Sequence, residues 1–386
     1  MGKVCVLECK EYIYEDVINK TYDLLNSFEE LKELKPGKVL IKTNLLKKNK
    51  PEDGVTTHPY VVEGVVRFFK DLGHDILIGD SPGGPFNPII LKGIYESSGI
   101  LDVAKRTDTK LNYDTDIVEV KPTNSLLINN LKLVKAFTEV DYVISCGKLK
   151  THTMMTYTGA VKNLFGMIPG VTKADYHLKM NDPTHFANML IDVCEHVKPV
   201  FSILDGIEAM EGDGPSSGEI RDLGLILGGT NPYELDYIAT YITGLENVPT
   251  VIEALKRKLF KIEDNSIQVT GIDITELDVR PFKLPGSMHV NFVSGRIPKF
   301  VVNFLLDEIR PYPLVKVDKC IGCGICVKNC PPKVIHLESK KAVIDTSGCI
   351  RCFCCHELCP EKAIGIKRHP LHKLVFGKWG KYDEKF

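Results

Sequence analysis

The chain has 386 residues, of which 44% are hydrophobic and 26% charged, and its formal net charge is -1. That length accommodates two or three domains, and the near-neutral balance argues against a nucleic-acid binder or a membrane-surface binder, which usually carry a large basic excess. No apolar run approaches the roughly 18 residues that span a bilayer, and Met1-Gly2-Lys3-Val4-Cys5 is not an apolar signal region, so a cytoplasmic location is expected.

The first three hundred residues alternate strand-like and helix-like segments. Val39-Leu40-Ile41 is a short apolar run after the turn pair Pro36-Gly37. From Pro59 to Leu72 the apolar residues Val62, Val65, Val66 and Phe69 recur at helical spacing, with Pro59 where a first turn tolerates it. Ile76-Leu77-Ile78 is a second apolar run, ending at Gly79-Asp80-Ser81-Pro82-Gly83-Gly84. Further strands are expected at Tyr142–Ser145, Val200–Leu204 and Leu223–Leu227, and helices at Phe186–Val197 and Glu234–Thr243. Such alternation predicts an α/β fold class, a largely parallel sheet with flanking helices. Arg310-Pro311-Tyr312-Pro313 is a stiff junction. It divides an α/β region, residues 1–310, from a small α+β module at 311–366, which a basic tail follows at 367–386.

Nine of the thirteen cysteines fall between Cys320 and Cys359. In a long chain without an export signal, clustered thiols point to metal rather than to disulfides. Cys320, Cys323, Cys326 and Cys330 precede Pro331 with the spacing C-x2-C-x2-C-x3-C-P, and Cys349, Cys352, Cys355 and Cys359 repeat it before Pro360. This is the bacterial two-cluster ferredoxin run, in which the fourth cysteine ligates the other cluster. Two 4Fe-4S clusters are therefore expected, one on Cys320, Cys323, Cys326 and Cys359, the other on Cys349, Cys352, Cys355 and Cys330. Structural zinc needs four ligands from two pairs and leaves the third cysteine and the following Cys-Pro unexplained in both copies. Cys354 is an extra thiol, read as a non-ligand, and Cys146 and Cys194 read as small core residues.

In open α/β sheets, ligands bind beyond the carboxyl ends of the strands. Lys42-Thr43-Asn44, Asp80 to Gly84, Gly147 to His152 and Asp205 to Pro215 all follow expected strands. Plain alternatives stand beside each: a turn at Gly83-Gly84, a helix cap at Thr56 or Thr57, a turn cap at Asp205, and exposed edge-strand lysines at Lys148 and Lys150. His177, His185 and His196 read as surface residues.

These segments in this order resemble the domain-of-unknown-function 362 family over roughly residues 4 to 300. The most specific are Thr56-Thr57-His58-Pro59, Gly79 to Gly84, Lys148-Leu149-Lys150-Thr151-His152, Gly159 to Gly166, and Asp205 to Pro215. Members are often fused to the same two-cluster ferredoxin module, so the resemblance implies a fold and a redox context. The residues themselves suggest a pocket for a polar, anionic small molecule. Lys42, Lys148, Lys162 and Asn163 are the donors, and Asp80 and Glu208 the carboxylates. His152, Lys150 and Asp205 are the catalytic candidates, with His152 or His58 as proton donor. The carboxylates from Glu208 to Asp213, Glu211 among them, leave a divalent metal open, and a flavin is a further option. The leading expectation is a ferredoxin-linked oxidoreductase supplied by an electron donor or redox partner protein. The rival is an electron-transfer or assembly partner whose α/β domain docks another redox protein.

Overall fold

Short apolar runs bounded by turn residues become the strands of the α/β region. They are β1 (Gly2–Glu8), β2 (Lys38–Lys42), β3 (Asp75–Gly79), β4 (Lys110–Leu111), β5 (Ile117–Val120), β6 (Leu131–Val134), β7 (Tyr142–His152), β8 (Thr156–Thr158), β9 (Phe201–Glu211), β10 (Glu219–Gly229) and β11 (Ile267–Gly271). The computed structural model describes residues 2–122, 124–263, 266–286 and 311–368. Arg310 at the expected junction, and the expected basic tail from residue 369 onward, lie outside them.

The sheet runs β11-β1-β10-β9-β7-β2-β3-β4, with β8 on the end of β7; β5 and β6 form a separate hairpin. The pairs β2–β3, β2–β7, β3–β4, β7–β9 and β1–β11 are parallel, whereas β10 is antiparallel to both of its neighbours. The sheet is thus mixed and mostly parallel. Both faces are covered, because successive side chains point to opposite sides. Val39 and Ile41 of β2 join one core with Val62, Val65, Val66 and Phe69 of the helix Pro59–Asp71. Leu40 joins the other, with Leu190 of the helix Pro183–Val197 and Leu235 of the helix Pro232–Thr243. Each such fully buried side chain contributes roughly 1.5–3 kcal/mol. Cys146 and Cys194 are buried in these cores, as expected, and burial pushes the Cys194 thiol up to about 12.

Several strands outrun their expected lengths, β7 and β9 with consequence for the site. β7 continues through Lys148, Lys150 and His152, and β9 through Asp205 to Glu211. Their polar ends stay paired, Lys148 opposite Asp205 and Lys150 opposite Met210, with an irregularity between; β8 pairs His152 with Thr156. Lys148 and Lys150 therefore lie buried on a central strand, not exposed on an edge. The helix after Pro59 is capped by His58, whose Nδ1 accepts the Tyr60 N–H at 3.3 Å. Thr57 is not the cap: its hydroxyl donates to the Cys146 carbonyl at 2.8 Å and accepts the Asn44 N–H at 3.1 Å.

The cysteine-rich module shows its duplication in space. Its outer strands, Tyr312–Val315 and Ile364–Lys367, pair antiparallel, and Ile335–Glu338 pairs with Lys341–Ile344. The short helices Ile325–Asn329 and Cys354–Leu358 occupy equivalent places, one in each copy. The second helix packs on the α/β region. Lys47 Nζ donates to the Cys359 carbonyl at 2.7 Å, Ser216 Oγ donates to the Glu357 carbonyl at 2.8 Å, and His356 Nε2 lies 3.1 Å from the Asp213 carbonyl oxygen.

Candidate active site between the two regions

A cavity of about 710 Å³, counting its open mouth, lies where the second cysteine helix meets the carboxyl ends of β2 and β3. That is the place where strand order reverses, since β3 and β7 flank β2 on opposite sides; such crevices are the usual ligand sites of open α/β sheets. The α/β side contributes Lys42, Asp80, Lys162, Asn163, Lys173 and His177. The ferredoxin-like side contributes Asn329, Cys354, Glu357 and Leu358.

The floor is a tightly bonded polar set. Lys42 Nζ sits 2.7 Å from Asp80 Oδ1, both side chains buried, and Asp80 Oδ2 accepts the Leu45 N–H at 2.8 Å. Gly166 is required here, because a Cβ would lie 2.1 Å from Asp80 Oδ1 and 2.4 Å from Lys42 Nζ. Asn163 donates to the Lys42 carbonyl at 3.1 Å and to Ser145 Oγ at 3.0 Å, and its Oδ1 accepts from Lys42 at 3.3 Å. The segment carrying Asn163 and Lys162 is anchored by Asp236, a residue the sequence did not single out. Its carboxylate accepts the N–H groups of Ala160 at 2.7 Å and Val161 at 3.0 Å and the Tyr157 hydroxyl at 3.0 Å. Burial still pushes Asp236 up to about 6.

Burial also dominates the bases. Lys150 Nζ donates to Asn44 Oδ1 at 2.8 Å and to the Val55 carbonyl at 2.6 Å, and loss of hydration lowers its ammonium to about 7. Lys150 stands behind the cavity wall rather than in it. His152 is fully buried, and its Nδ1 accepts the N–H groups of Met154 at 3.1 Å and Met155 at 3.3 Å. Burial holds the ring neutral, far below its ordinary range, so its proton rests on Nε2, which lies 3.7 Å from Glu357 Oε2 of the ferredoxin-like module. Glu357 is thus a cavity residue that strand-end reasoning could not reach. His177 is a correction: it is buried at 6% exposure, stacked on Phe186 and lining the cavity, not on the surface. His185 is exposed and His196 half-buried.

Lys148, Asp205 and Glu208 do not reach this cavity. Lys148 Nζ lies 2.9 Å from Asp205 Oδ2 and donates to the Tyr12 hydroxyl at 2.6 Å; that hydroxyl donates to Asp205 Oδ1 at 2.7 Å. The His58 N–H completes the set at 2.9 Å from Asp205, and its ring stacks on Tyr12 at 3.7 Å. Burial lowers His58 to about 4, which removes it as a proton donor near neutrality. Glu208 is half-buried, facing Asp222 across β9 and β10, and burial raises its carboxyl. Glu211 is held by Arg221 at 3.1 Å and Arg280 at 2.8 Å, and Asp213 by Arg368 at 2.9 Å. These carboxylates answer cations of the chain itself.

One of the two expected sets of thiols borders a common space. Cys320, Cys323 and Cys326 line one space together with Cys359 from the second run, about 370 Å³ counting its opening. Backbone N–H groups approach the sulfurs: Ala342 N to Cys320 Sγ at 3.4 Å, Ala363 N to Cys359 Sγ at 3.2 Å, and Arg351 N to Cys349 Sγ at 3.4 Å. Cysteine sulfurs with N–H donors beside them are the donor type of a 4Fe-4S cube, so the residue types present fit that group, although among the described residues no three His, Cys, Asp or Glu side chains close on a single metal ion.

Fold and site together define an α/β protein that carries a ferredoxin-type iron-sulfur module with an electron-transfer role. A domain described as a 4Fe-4S dicluster domain matches residues 312–360, and the domain of unknown function DUF362 matches residues 39–241. A thylakoid-associated protein of Synechocystis sp. is 37% identical over 298 residues, 72% of this chain and 88% of that one. The chain therefore belongs to the DUF362 family. Ferredoxin-2 of Desulfomicrobium norvegicum is 57% identical over 30 residues, 8% of this chain and 51% of that protein. Among solved structures, the lactate racemase apoprotein from Thermoanaerobacterium thermosaccharolyticum aligns with a TM-score of 0.41 and 14% identity, covering 64% of this chain and 58% of that one. Among the described residues no helix is long and apolar enough to cross a membrane.

Proposed function

We propose that the chain is a ferredoxin-linked oxidoreductase that reduces, or in reverse oxidises, a polar anionic small molecule in the boundary cavity. The observation that carries this reading is the shared wall. The helix Cys354–Leu358 holds Cys355, in the second cysteine run, and also presents Cys354 and Glu357 to the cavity. Two 4Fe-4S clusters, on Cys320, Cys323, Cys326 and Cys359 and on Cys349, Cys352, Cys355 and Cys330, supply one electron each. Reduction of a closed-shell bond takes those two electrons with two protons, and a low-potential one-electron donor protein restores the electrons. The chain's residues bind and orient. Lys42 and Asp80 fix the floor, Lys162 and Lys173 supply positive charge, and Glu357 brings a carboxyl group into the cavity from the ferredoxin-like side. The concave, partly open shape favours an enzyme over a docking scaffold, which calls for a flat solvated face.

The test is anaerobic. Chemically reduced holoprotein is mixed with a panel of small carboxylates and phosphates while cluster absorbance is followed. Accelerated reoxidation by at least one of them, reduced to the background rate in Lys162→Gln, is expected; no acceleration across the panel sinks the proposal. A cytoplasmic location belongs to the same reading, and recovery of the protein in washed membranes would replace it.

A further inference from the structure

Among the described residues, two half-buried cations at the α/β end of the cavity have no carboxylate within ion-pair distance, and a buried imidazole beside them has a ring nitrogen without a hydrogen-bond partner. Lys162 and Lys173 place their ammonium groups 5.9 and 5.3 Å from the centroid of the Phe165 ring. Neither has a carboxylate within ion-pair distance among the described residues; Lys173 donates only to the Ser81 carbonyl. Asp80 is already engaged by Lys42 and the Leu45 N–H, and Glu357, whose charge acts on both lysines, lies beyond ion-pair distance of them. His177 is 6% exposed, and its Nδ1 has no hydrogen-bond partner. Its ring is fixed between Phe186, stacked at 4.5 Å, and the edge of Phe165 at 5.9 Å, contacts that offer nothing to its nitrogens. Burial and the two lysines hold that ring neutral, and burial lowers Lys173 to about 8. A buried polar atom left without a partner is costly, and so are like charges brought together.

We propose that Lys162, Lys173 and His177 form an oxyanion-holding subsite, so that the ligand carries a carboxylate or phosphate at this end and turns its reacting end toward Cys354 and Glu357. The inference rests on the cavity being the site of the reaction proposed above, and it adds the ligand's chemical handle and direction. An oxyanion accepts from both ammonium groups and from a neutral imidazole N–H, and it relieves the repulsion between the lysines.

The test is calorimetric titration of anaerobic holoprotein with inorganic phosphate and, separately, malonate at constant ionic strength. Saturable binding of one or both is expected, weakened about tenfold or more in Lys162→Gln and Lys173→Gln and unchanged in Lys179→Gln, an exposed lysine of the same helix. Phosphate alone marks a phosphorylated ligand, malonate alone a carboxylate. The His177 ring signal of isotope-labelled protein should move on titration, a readout that does not depend on any variant's stability. Absence of saturable binding overturns the subsite, and so does binding unaltered in both lysine variants. If those variants shift the cluster potentials while anion affinity holds, the lysines serve the clusters and the subsite is wrong. Anion binding without acceptor-driven reoxidation removes the redox reading and leaves the subsite; reoxidation without lysine-dependent binding does the reverse.

Discussion

Two polar clusters lie at the strand ends of the α/β sheet, and they differ in how completely they are paired. In one, Lys148, Asp205, Tyr12 and the His58 N–H satisfy one another within 2.6–2.9 Å. In the other, at the ferredoxin boundary, Lys42 and Asp80 are paired but Lys162, Lys173 and His177 face open space. Both look alike in the sequence, as lysines and acids around glycine-rich turns. The difference teaches that buried charge as such is no sign of function: a closed set holds strands together, and an open set awaits something from outside.

Four experiments sharpen or break that contrast. The largest expected effect is on the ferredoxin side: Cys326→Ala should lower iron and sulfide by about one cluster, about half the total, since three thiolates hold a cube less firmly than four. Asp205 variants that fold should keep their iron in full, and elemental analysis of both decides. Next, Asp205→Ala strands a buried Lys148 charge and should cost about 3–5 kcal/mol in chemical denaturation; a cost below about 1 kcal/mol would mean the closed set is not the brace described. Third, Gly83→Leu should loosen the docked helix, because a Cβ at Gly83 would lie 2.8 Å from Leu358 Cδ2. An overpacking cost of about 1–3 kcal/mol is expected, together with faster proteolysis at the boundary.

The smallest effect is one of pH. Lys150 is lowered from its ordinary 10.5 to about 7 by burial. Between those values the unfolded chain binds the proton and the folded one does not, so this group's contribution makes stability rise with pH from about 7 to 10.5. Below about 7 both states are protonated and the penalty of burying the ammonium is present in full. Lys150→Met should flatten the slope in that window in pH-dependent denaturation, and an unchanged slope would mean Lys150 keeps its charge.

The cysteine module was legible as a ferredoxin-type 4Fe-4S domain, because cluster ligation dictates spacing and spacing is printed in the chain. The strand–helix alternation was legible too, since apolar runs report burial directly. What escaped was the extent of β7 and β9, whose ends carry Lys148, Lys150 and Asp205; polar composition reads as loop when its partners are charges on neighbouring strands. His177 escaped because nothing local marks a histidine as buried. A signal did exist: Lys173 and His177 are one helical turn apart, on one face of the helix Lys173–Lys179. Glu357 left no signal at all, because its place in the site comes from another region's surface.

That last residue has a consequence for how such chains can be taken apart. With Cys354, Glu357 and Leu358 forming one side of the chamber, the cysteine module is not an interchangeable plug-in power supply. Removing it, or grafting on a ferredoxin with a different second helix, turns the chamber into an open trough. Evolution of ligand preference in this architecture therefore runs through both halves at once.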